Sequence, residues 1–388
     1  MIYLILLAIF IIPLFIHMPA KAGQKYYWFE CVIVILVMGF RYYVGGDTMG
    51  YMDKYEFVSP INELTLMDFV LGEYQPLWII LQSTCKVFSE EFFVLQLVIS
   101  TVANVTVFWA MQRYSTNKFF AVLLYLISQM LNFNCEILRA VLAISVFLIA
   151  YEQLLEKKYL KYYLLIIVAI LFHDQAFLLL LVPLFYPFLK KPLSPVTMIV
   201  LLIVGLILTS SPVMSLYINY LPGERGETFT EGYGSYKVAS ILGYIHVIVN
   251  IILISIIIKS NLIRDNNRLL PALNFYLCCV ILGFGMPIFS TRVSHFFVIY
   301  YLCALSTFIL YYKKGAIKAL VVAVWLFGVV RWYSLDVTSW VQSNSANVGN
   351  RYYFYEIFYP YYSIWEEPDQ TVLTRRKEIA NQEMLKLK

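Results

Sequence analysis

Long apolar runs separated by short basic loops constrain this chain more than any other feature. Helix-length apolar runs are predicted at residues 1–19, 26–44, 92–112, 119–134, 137–155, 162–172, 174–189, 196–210, 238–258, 270–290, 293–312 and 319–335. A helix of about 20 apolar residues crosses a bilayer, whereas a β-barrel would show alternating segments of roughly ten residues. A chain that is 61% hydrophobic and 14% charged also lacks the polar surface of a soluble domain. We therefore predict an all-α, polytopic integral membrane protein with about 12 transmembrane helices.

The lysines and arginines predict which side of the membrane each loop occupies. Basic loops lie at residues 21–25, 113–118, 156–161, 190–191, 259–268 and 313–318. Together they hold 15 of the 29 lysines and arginines of the chain. Because basic loops stay in the cytoplasm, we predict that these six are cytoplasmic and that the N-terminus is outside. This topology accounts for the net charge of +5, so no nucleic-acid partner is predicted.

Two short apolar segments indicate half helices on the outer side. Segment 76–88 has only 13 residues, and as a helix it would be roughly 20 Å long, too short to cross comfortably. Segment 162–172 is also short and is followed at once by His173, which places a polar turn within the membrane region. Non-helical backbone at that depth requires a protein- or water-lined cavity. We therefore predict re-entrant or half helices that face a cavity open to the outer side.

The chain is predicted to have one main domain. Residues 1–340 form a polytopic membrane domain, and residues 341–388 form an aromatic interfacial segment followed by a polar tail. Tyrosine and tryptophan, which dominate residues 351–365, favour the boundary between the bilayer and water.

Three arginines lie at predicted outer ends of different apolar runs. Arg41 ends the second run, Arg139 follows the turn at residues 135–136, and Arg292 precedes the run at 293–312. A charge in such a place costs several kcal/mol unless it is paired or hydrated. Each arginine alone could snorkel to the interface or pair with a carboxylate. Three together favour an anionic ligand, since a guanidinium binds phosphate or carboxylate oxygens bidentately.

His173 and Asp47 are the candidate proton acceptors. His173 breaks a short apolar hairpin, and a neutral imidazole accepts a proton near neutral pH; a packing role is the alternative. Asp47 follows two glycines that allow a tight turn back toward Arg41. The secondary candidates are Tyr51, Glu73, Glu136, Asp174 and His295. The sequence contains no HExxH, GxSxG, Walker or GxGxxG motif and no CxxC spacing, so neither metal nor cofactor is predicted.

Four short sequence motifs follow one another along most of the chain. They are GFRYYVGGDTMGYMDKYE (39–56), EILRAVLAISVFLIAY (136–151), LFHDQAFLLLLVPLF (171–185) and STRVSHFF (290–297). In this order they resemble the FR…vG.Dt..Y, iRq.iA, FHssali and R…yF motifs of the EpsG-type family of exopolysaccharide proteins, which are relatives in function of Wzy-type O-antigen and capsule polymerases. Ala140 stands where the family usually has glutamine, and Asp174-Gln175 replaces small residues.

The resemblance implies a membrane glycosyltransferase that works at the outer, periplasmic face of a bacterial cytoplasmic (inner) membrane. Its donor and acceptor would both be oligosaccharide repeat units on undecaprenyl diphosphate, and a chain-length regulator is a further expected partner. Arg41, Arg139 and Arg292 would stabilise the lipid diphosphate leaving group. His173 or Asp47 would activate the acceptor hydroxyl.

Three other activities suit some of these features. A lipid-linked oligosaccharide flippase also needs a cationic cavity, but such transporters often have repeated halves, and no repeat is evident here. A polytopic acyltransferase would use a histidine base but needs its acyl donor from the cytoplasm. An O-antigen-type ligase shares the donor chemistry and differs in its acceptor.

Overall fold

The computed structural model describes residues 2–70, 74–208, 241–284, 289–342, 351–366 and 368–386, and these residues are mainly helical. The α-helices are α1 Ile2–Phe15, α2 Ala20–Gly39, α3 Gly46–Tyr55, α4 Leu66–Val70, α5 Pro76–Phe88, α6 Phe93–Tyr114, α7 Lys118–Ser128, α8 Leu138–Leu155, α9 Tyr159–Phe172, α10 Val182–Phe185, α11 Pro195–Leu208, α12 Ile241–Lys259, α13 Asn261–Arg264, α14 Leu270–Leu282, α15 His295–Tyr311, α16 Gly315–Thr338 and α17 Gln370–Lys386. Strands β1 (Trp340–Gln342) and β2 (Arg351–Tyr353) form one antiparallel pair.

Other helical turns lie between these elements. The 3₁₀ turns are Ile61–Glu63, Asp174–Leu181, Tyr186–Lys190 and Phe354–Ile357. Two π-helical turns, Asn132–Glu136 and Phe289–Val293, each precede a long helix. The chain divides into two compact units. The first unit holds residues 1–113, 118–180 and 332–382, and the second holds residues 114–117, 181–331 and 383–388.

The helices have the composition of a membrane protein. Among the described residues, 3 helices are long and apolar enough to cross a bilayer: Phe93–Tyr114, Leu138–Leu155 and Gly315–Leu335. The shorter apolar helices are Ile2–Phe15, Lys118–Ser128, Tyr159–Phe172, Pro195–Ile207, Val247–Lys259, Leu270–Leu282 and His295–Tyr311. Large apolar side chains also point outward, such as Phe15 and Phe327. The all-helical membrane class is confirmed, and the count of 12 spans stays a prediction.

Polar contacts place basic ends of several helices together in the first unit. Lys118 Nζ donates to Gln24 Oε1 at 2.6 Å, which joins the start of α7 to the start of α2. Arg113 at the end of α6 pairs with Glu152 near the end of α8, with a shortest N–O distance of 2.6 Å. The predicted loops that contain or adjoin these residues therefore lie at one end of the helices. Residues 21–25, predicted as a loop, are instead helical, because α2 begins directly after Pro19.

The opposite helix ends in this unit gather around α3. The N-terminal end of α1 contacts the C-terminal segment, where the Tyr3 hydroxyl donates to the Phe358 carbonyl at 3.2 Å. Residues after 338 pack on the same region. One buried apolar cluster contains Met49 of α3 together with five residues from the C-terminal segment, namely Val341, Tyr352, Ile357, Ile379 and Ala380. The C-terminal segment and α3 therefore pack together at the same end of the helices, and we expect them on the same side of the membrane.

Cysteine labelling tests this arrangement. Glu63→Cys and Thr374→Cys, each at an exposed position, are expected to react with a membrane-impermeant maleimide from the same side. Lys158→Cys, in the basic loop at the other helix ends, serves as the control for the opposite side. The six native cysteines are free and buried or half-buried, so their background is expected to be low. Labelling of Glu63→Cys and Thr374→Cys from opposite sides would contradict the packing.

The predicted span at residues 174–189 is helical in the structure but is not one regular α-helix. The segment forms a 3₁₀ turn at Asp174–Leu181, the short helix α10 and another 3₁₀ turn at Tyr186–Lys190. Pro183 and Pro187 explain the interruption, because proline lacks an N–H and its ring clashes with the carbonyl four residues earlier. Residues 211–237, which connect the predicted runs at 196–210 and 238–258 and are expected on the outer side, lie outside the described residues.

In the second unit, α14 is the helix against which the others pack. It contacts α11, α12, α15 and the π-helical turn Phe289–Val293. The buried Asn274 amide on α14 donates to the Leu189 carbonyl at 2.8 Å and to the Lys191 carbonyl at 2.9 Å. Phe275 and Phe297 stack with ring centroids 5.2 Å apart, which fixes α14 against α15.

Candidate functional site

Arg41 organises the turn that leads from α2 into α3. Its side chain is fully buried, and its guanidinium donates to the carbonyls of Met38 and Val44 and to the Thr48 hydroxyl, the last at 3.1 Å. Thr48 in turn donates to the Cys135 carbonyl at 2.7 Å. The arginine therefore ties the end of α2 to the start of α3, and through Thr48 to the turn before α8.

The turn before α8 also caps α3. Both carboxylate oxygens of Glu136 accept backbone N–H bonds, from Gly46 at 2.9 Å and from Asp47 at 3.0 Å. A carboxylate in this position satisfies N–H groups that the first helical turn leaves unpaired and complements the positive end of the helix. Glu136, a secondary candidate from sequence, therefore fixes α3 relative to α8.

Gly45 makes this close approach possible. Its φ of +105° lies where L-residues are strained, and an added Cβ would lie 2.6 Å from Cys135 Cβ. We expect Gly45→Ala to lower the free energy of unfolding by more than about 1 kcal/mol. Gly315→Ala is the matched control, because nothing lies within 4 Å of its added Cβ. Equal thermal unfolding midpoints for the two purified variants would contradict this account of the turn.

Arg139, at the start of α8, is held by neutral groups. Its Nε donates to the Tyr51 hydroxyl at 3.0 Å, and Nη1 donates to Gln75 Oε1 at 2.8 Å. Its guanidinium also lies over the Tyr74 ring, 4.5 Å from the centroid. Burial is the main cause that raises the pKa of the Tyr51 hydroxyl, so Tyr51 stays neutral. These hydrogen-bond partners of Arg139 are therefore neutral, and its charge also interacts with the Asp174 carboxylate.

Asp174, the residue after His173, interacts electrostatically with Arg139. His173 ends α9 and is buried, while the Asp174 side chain is 62% exposed. Nδ1 of His173 lies 3.1 Å from Asp174 Oδ1 and 3.2 Å from the Gln175 backbone nitrogen. A protonated Nδ1 can donate to Asp174, and an unprotonated one can accept from Gln175. The charges of Asp174 and Arg139 interact, which connects the break after α9 to the start of α8.

The remaining candidates fall in three places. Asp47 is exposed in the first turn of α3, one turn before Tyr51. Arg292 lies in the π-helical turn of the second unit, and His295 begins α15 there. Glu73 lies outside the described residues. In the first unit, Tyr51 thus contacts Arg139 and His173 contacts Asp174, and the charges of Arg139 and Asp174 interact; Asp47 is on the same helix as Tyr51.

Two important residues were not predicted from sequence. Gln75 precedes the predicted half helix at 76–88 and has no distinctive sequence pattern, yet it is a direct partner of Arg139. Arg376 lies in a segment that reads as a polar tail, yet it is fully buried. Its guanidinium donates to the carbonyls of Glu356 and Tyr43 at 2.8 and 2.7 Å, and to that of Pro360. Tyr43 has a φ of +52°, so Arg376 fixes a left-handed residue two positions after Arg41.

Comparison with known proteins gives one family. The chain matches the EpsG family over residues 24–362, which includes every candidate residue described above. No curated protein and no solved structure matches the chain. The match covers most of the 388 residues and agrees with the resemblance of the four motifs. The chain therefore belongs to the EpsG family and is a membrane protein of polysaccharide biosynthesis.

Proposed function

We propose that this protein is a polysaccharide polymerase that joins oligosaccharide repeat units carried on undecaprenyl diphosphate. The reaction takes place at the outer face of the bacterial cytoplasmic membrane. The observation that carries the proposal is the position of Arg139, which donates to the neutral Tyr51 and Gln75 and whose charge interacts with that of Asp174, the residue after His173. A diphosphate needs the cation, and an acceptor hydroxyl needs the base.

The chemical step transfers a glycan from its lipid to a hydroxyl group. The acceptor oxygen attacks the anomeric carbon of the donor, and the bond between that carbon and the diphosphate oxygen breaks. The lipid diphosphate leaves with the electron pair, and the guanidinium of Arg139 stabilises the growing negative charge. His173 takes the proton of the acceptor hydroxyl, and Asp174 stabilises the imidazolium that forms. Asp47 is the second candidate for the base.

Arg41 and Arg292 have different places in this proposal. Arg41 is fully buried and donates to protein oxygens, so its contribution is to hold the turn that carries Asp47 and Tyr51. Arg292 is assigned to the diphosphate through the family motif STRVSHFF, and it lies in the second unit. A chain-length regulator remains an expected partner of the polymerase.

Substitution of His173 tests the base. In a strain that makes the surface glycan, His173→Ala is expected to slow polymerisation by about 10²–10⁴-fold, so that glycans stop at one or a few repeats. His17→Ala is the control, because His17 is exposed in the turn after α1. Gel analysis measures the length of the glycan, and immunoblots of the membrane fraction measure the level of the protein. Normal chain lengths in His173→Ala would contradict the assignment, and untranslocated lipid-linked units would indicate a flippase instead.

A further inference from the structure

Helix α5 exposes apolar side chains and buries several hydrogen-bond donors. Its exposed side chains include Ile80, Val87 and Phe88, which suit contact with lipid. Its buried face carries three side chains with hydrogen-bond donors, Trp78, Gln82 and Ser83, each no more than 1% exposed. A helix at a water-facing surface would expose its polar groups instead. In a membrane protein, polar groups within the apolar region face the protein interior or a water-filled cavity.

Three polar atoms on this buried face have no hydrogen-bond partner in the part of the chain that the structure describes. Trp78 Nε1, Gln82 Nε2 and Ser83 Oγ are buried and make no hydrogen bond with any residue that the structure describes. Most buried polar groups in proteins are hydrogen-bonded, because an unpaired one loses its hydration without compensation. All three can donate, and they lie within two turns of one helix face. We call Trp78, Gln82 and Ser83 the donor row.

The donor row begins beside Arg139. Gln75, the N-cap of α5, accepts from the guanidinium of Arg139 and lies on the same helix face as Trp78 and Gln82, three and seven residues later. The Trp78 ring lies 5.2 Å from the Tyr51 ring and 6.4 Å from the Tyr74 ring, so the aromatic partners of Arg139 also border the row. The buried face of α5 thus runs from the proposed diphosphate site into the unit, and α5 packs against α9, which ends at His173.

We propose that the donor row is a saccharide subsite of the polymerase, which rests on the function proposed above. Sugar hydroxyl and ring oxygens accept hydrogen bonds from Trp78, Gln82 and Ser83, and the aromatic rings beside Arg139 stack on a sugar face. The first sugar of a lipid-linked unit is covalently attached to its diphosphate, so its subsite must adjoin the cation. The row is closed in this structure, and α5 must move from its neighbours to admit the sugar.

The subsite predicts opposite effects on stability and on substrate binding. Trp78→Phe, Gln82→Leu and Ser83→Ala each remove one donor. Because that donor is unpaired in the structure, the midpoint of thermal unfolding is expected to stay unchanged or to rise. The KM for lipid-linked repeat units is expected to rise about five- to tenfold for each lost hydrogen bond. Thr84→Val is the matched control on the same helix, since Thr84 donates to the Ile80 carbonyl within α5.

The probe is the lipid-linked repeat unit extracted from a producing strain that lacks this gene, with undecaprenyl diphosphate as a sugar-free competitor. The inhibition constant of undecaprenyl diphosphate is expected to be unchanged in the donor-row variants. In Arg139→Ala it is expected to rise strongly, because the lipid no longer binds well. Unchanged KM values together with lower unfolding midpoints in the donor-row variants would overturn the proposed subsite. An equal loss of affinity for the sugar-free lipid would also overturn it. If Arg139→Ala changes the affinity for neither the lipid-linked unit nor undecaprenyl diphosphate, the proposed function is contradicted instead.

Discussion

Replacing Arg139 with alanine is expected to stop polymerisation almost completely while the protein remains in the membrane. Removal of a single group that stabilises developing negative charge typically slows catalysis by about 10²–10³-fold. Arg139→Lys is expected to rescue little, because an ammonium cannot donate to Tyr51 and Gln75 in the planar geometry of the guanidinium. The lengths of glycans made by a strain that carries each variant give the measurement.

Arg264→Ala is a suitable control for the arginine substitutions. Arg264 is exposed and pairs with its neighbour Asp265 at 3.1 Å, so its loss is expected to leave glycan length unchanged. Equal membrane levels of the two variants exclude a folding defect as the cause. Full-length glycan made by Arg139→Ala at a normal level would remove Arg139 from the site.

Arg376→Ala is expected to cause the largest loss of stability among the substitutions considered. The guanidinium is fully buried and donates to three backbone carbonyls, of Glu356, Tyr43 and Pro360. Because each buried acceptor left unpaired costs about 1–3 kcal/mol, we expect the free energy of unfolding to fall by more than ~2 kcal/mol. Polymerisation is expected to fall as well, since the freed Tyr43 belongs to the turn that holds α3.

The neighbouring Arg375 provides the control for this prediction. Its side chain is 49% exposed and lies 3.7 Å from Glu356, so Arg375→Ala is expected to change stability little. The two variants are compared by their thermal unfolding midpoints in detergent and by their rates of tryptic cleavage within α17. Similar midpoints for Arg375→Ala and Arg376→Ala would show that the C-terminal segment does not stabilise the turn.

Local patterns in the sequence predicted most helices but missed their interruptions and their partners. Apolar runs give helices such as α6 and α8 close to the predicted bounds, because burial in lipid requires every backbone group to bond within the helix. The runs do not reveal where proline breaks a helix, as at Pro183. They also do not reveal that residues after 338 pack on α3, since that contact joins segments far apart in the chain.

In the candidate site, too, the sequence predicted some residues and missed the contacts between them. Arg139 and His173 were recognised because a charge or an imidazole at the end of an apolar run needs an explanation. Gln75 was not assigned to the site, because an amide before a short helix has no distinctive pattern until its contact with Arg139 is seen. Arg41 was expected to face a ligand, and its burial among protein oxygens depends on the turn geometry that Gly45 and Thr48 provide.

Reconstitution of the purified protein tests the central claim most directly. Vesicles that contain the protein and lipid-linked repeat units as both donor and acceptor are analysed for glycan length by gel electrophoresis. The account predicts a ladder of products longer than one repeat, formed with release of undecaprenyl diphosphate and lost in Arg139→Ala. Repeat units that cross the bilayer without growing in length would contradict it.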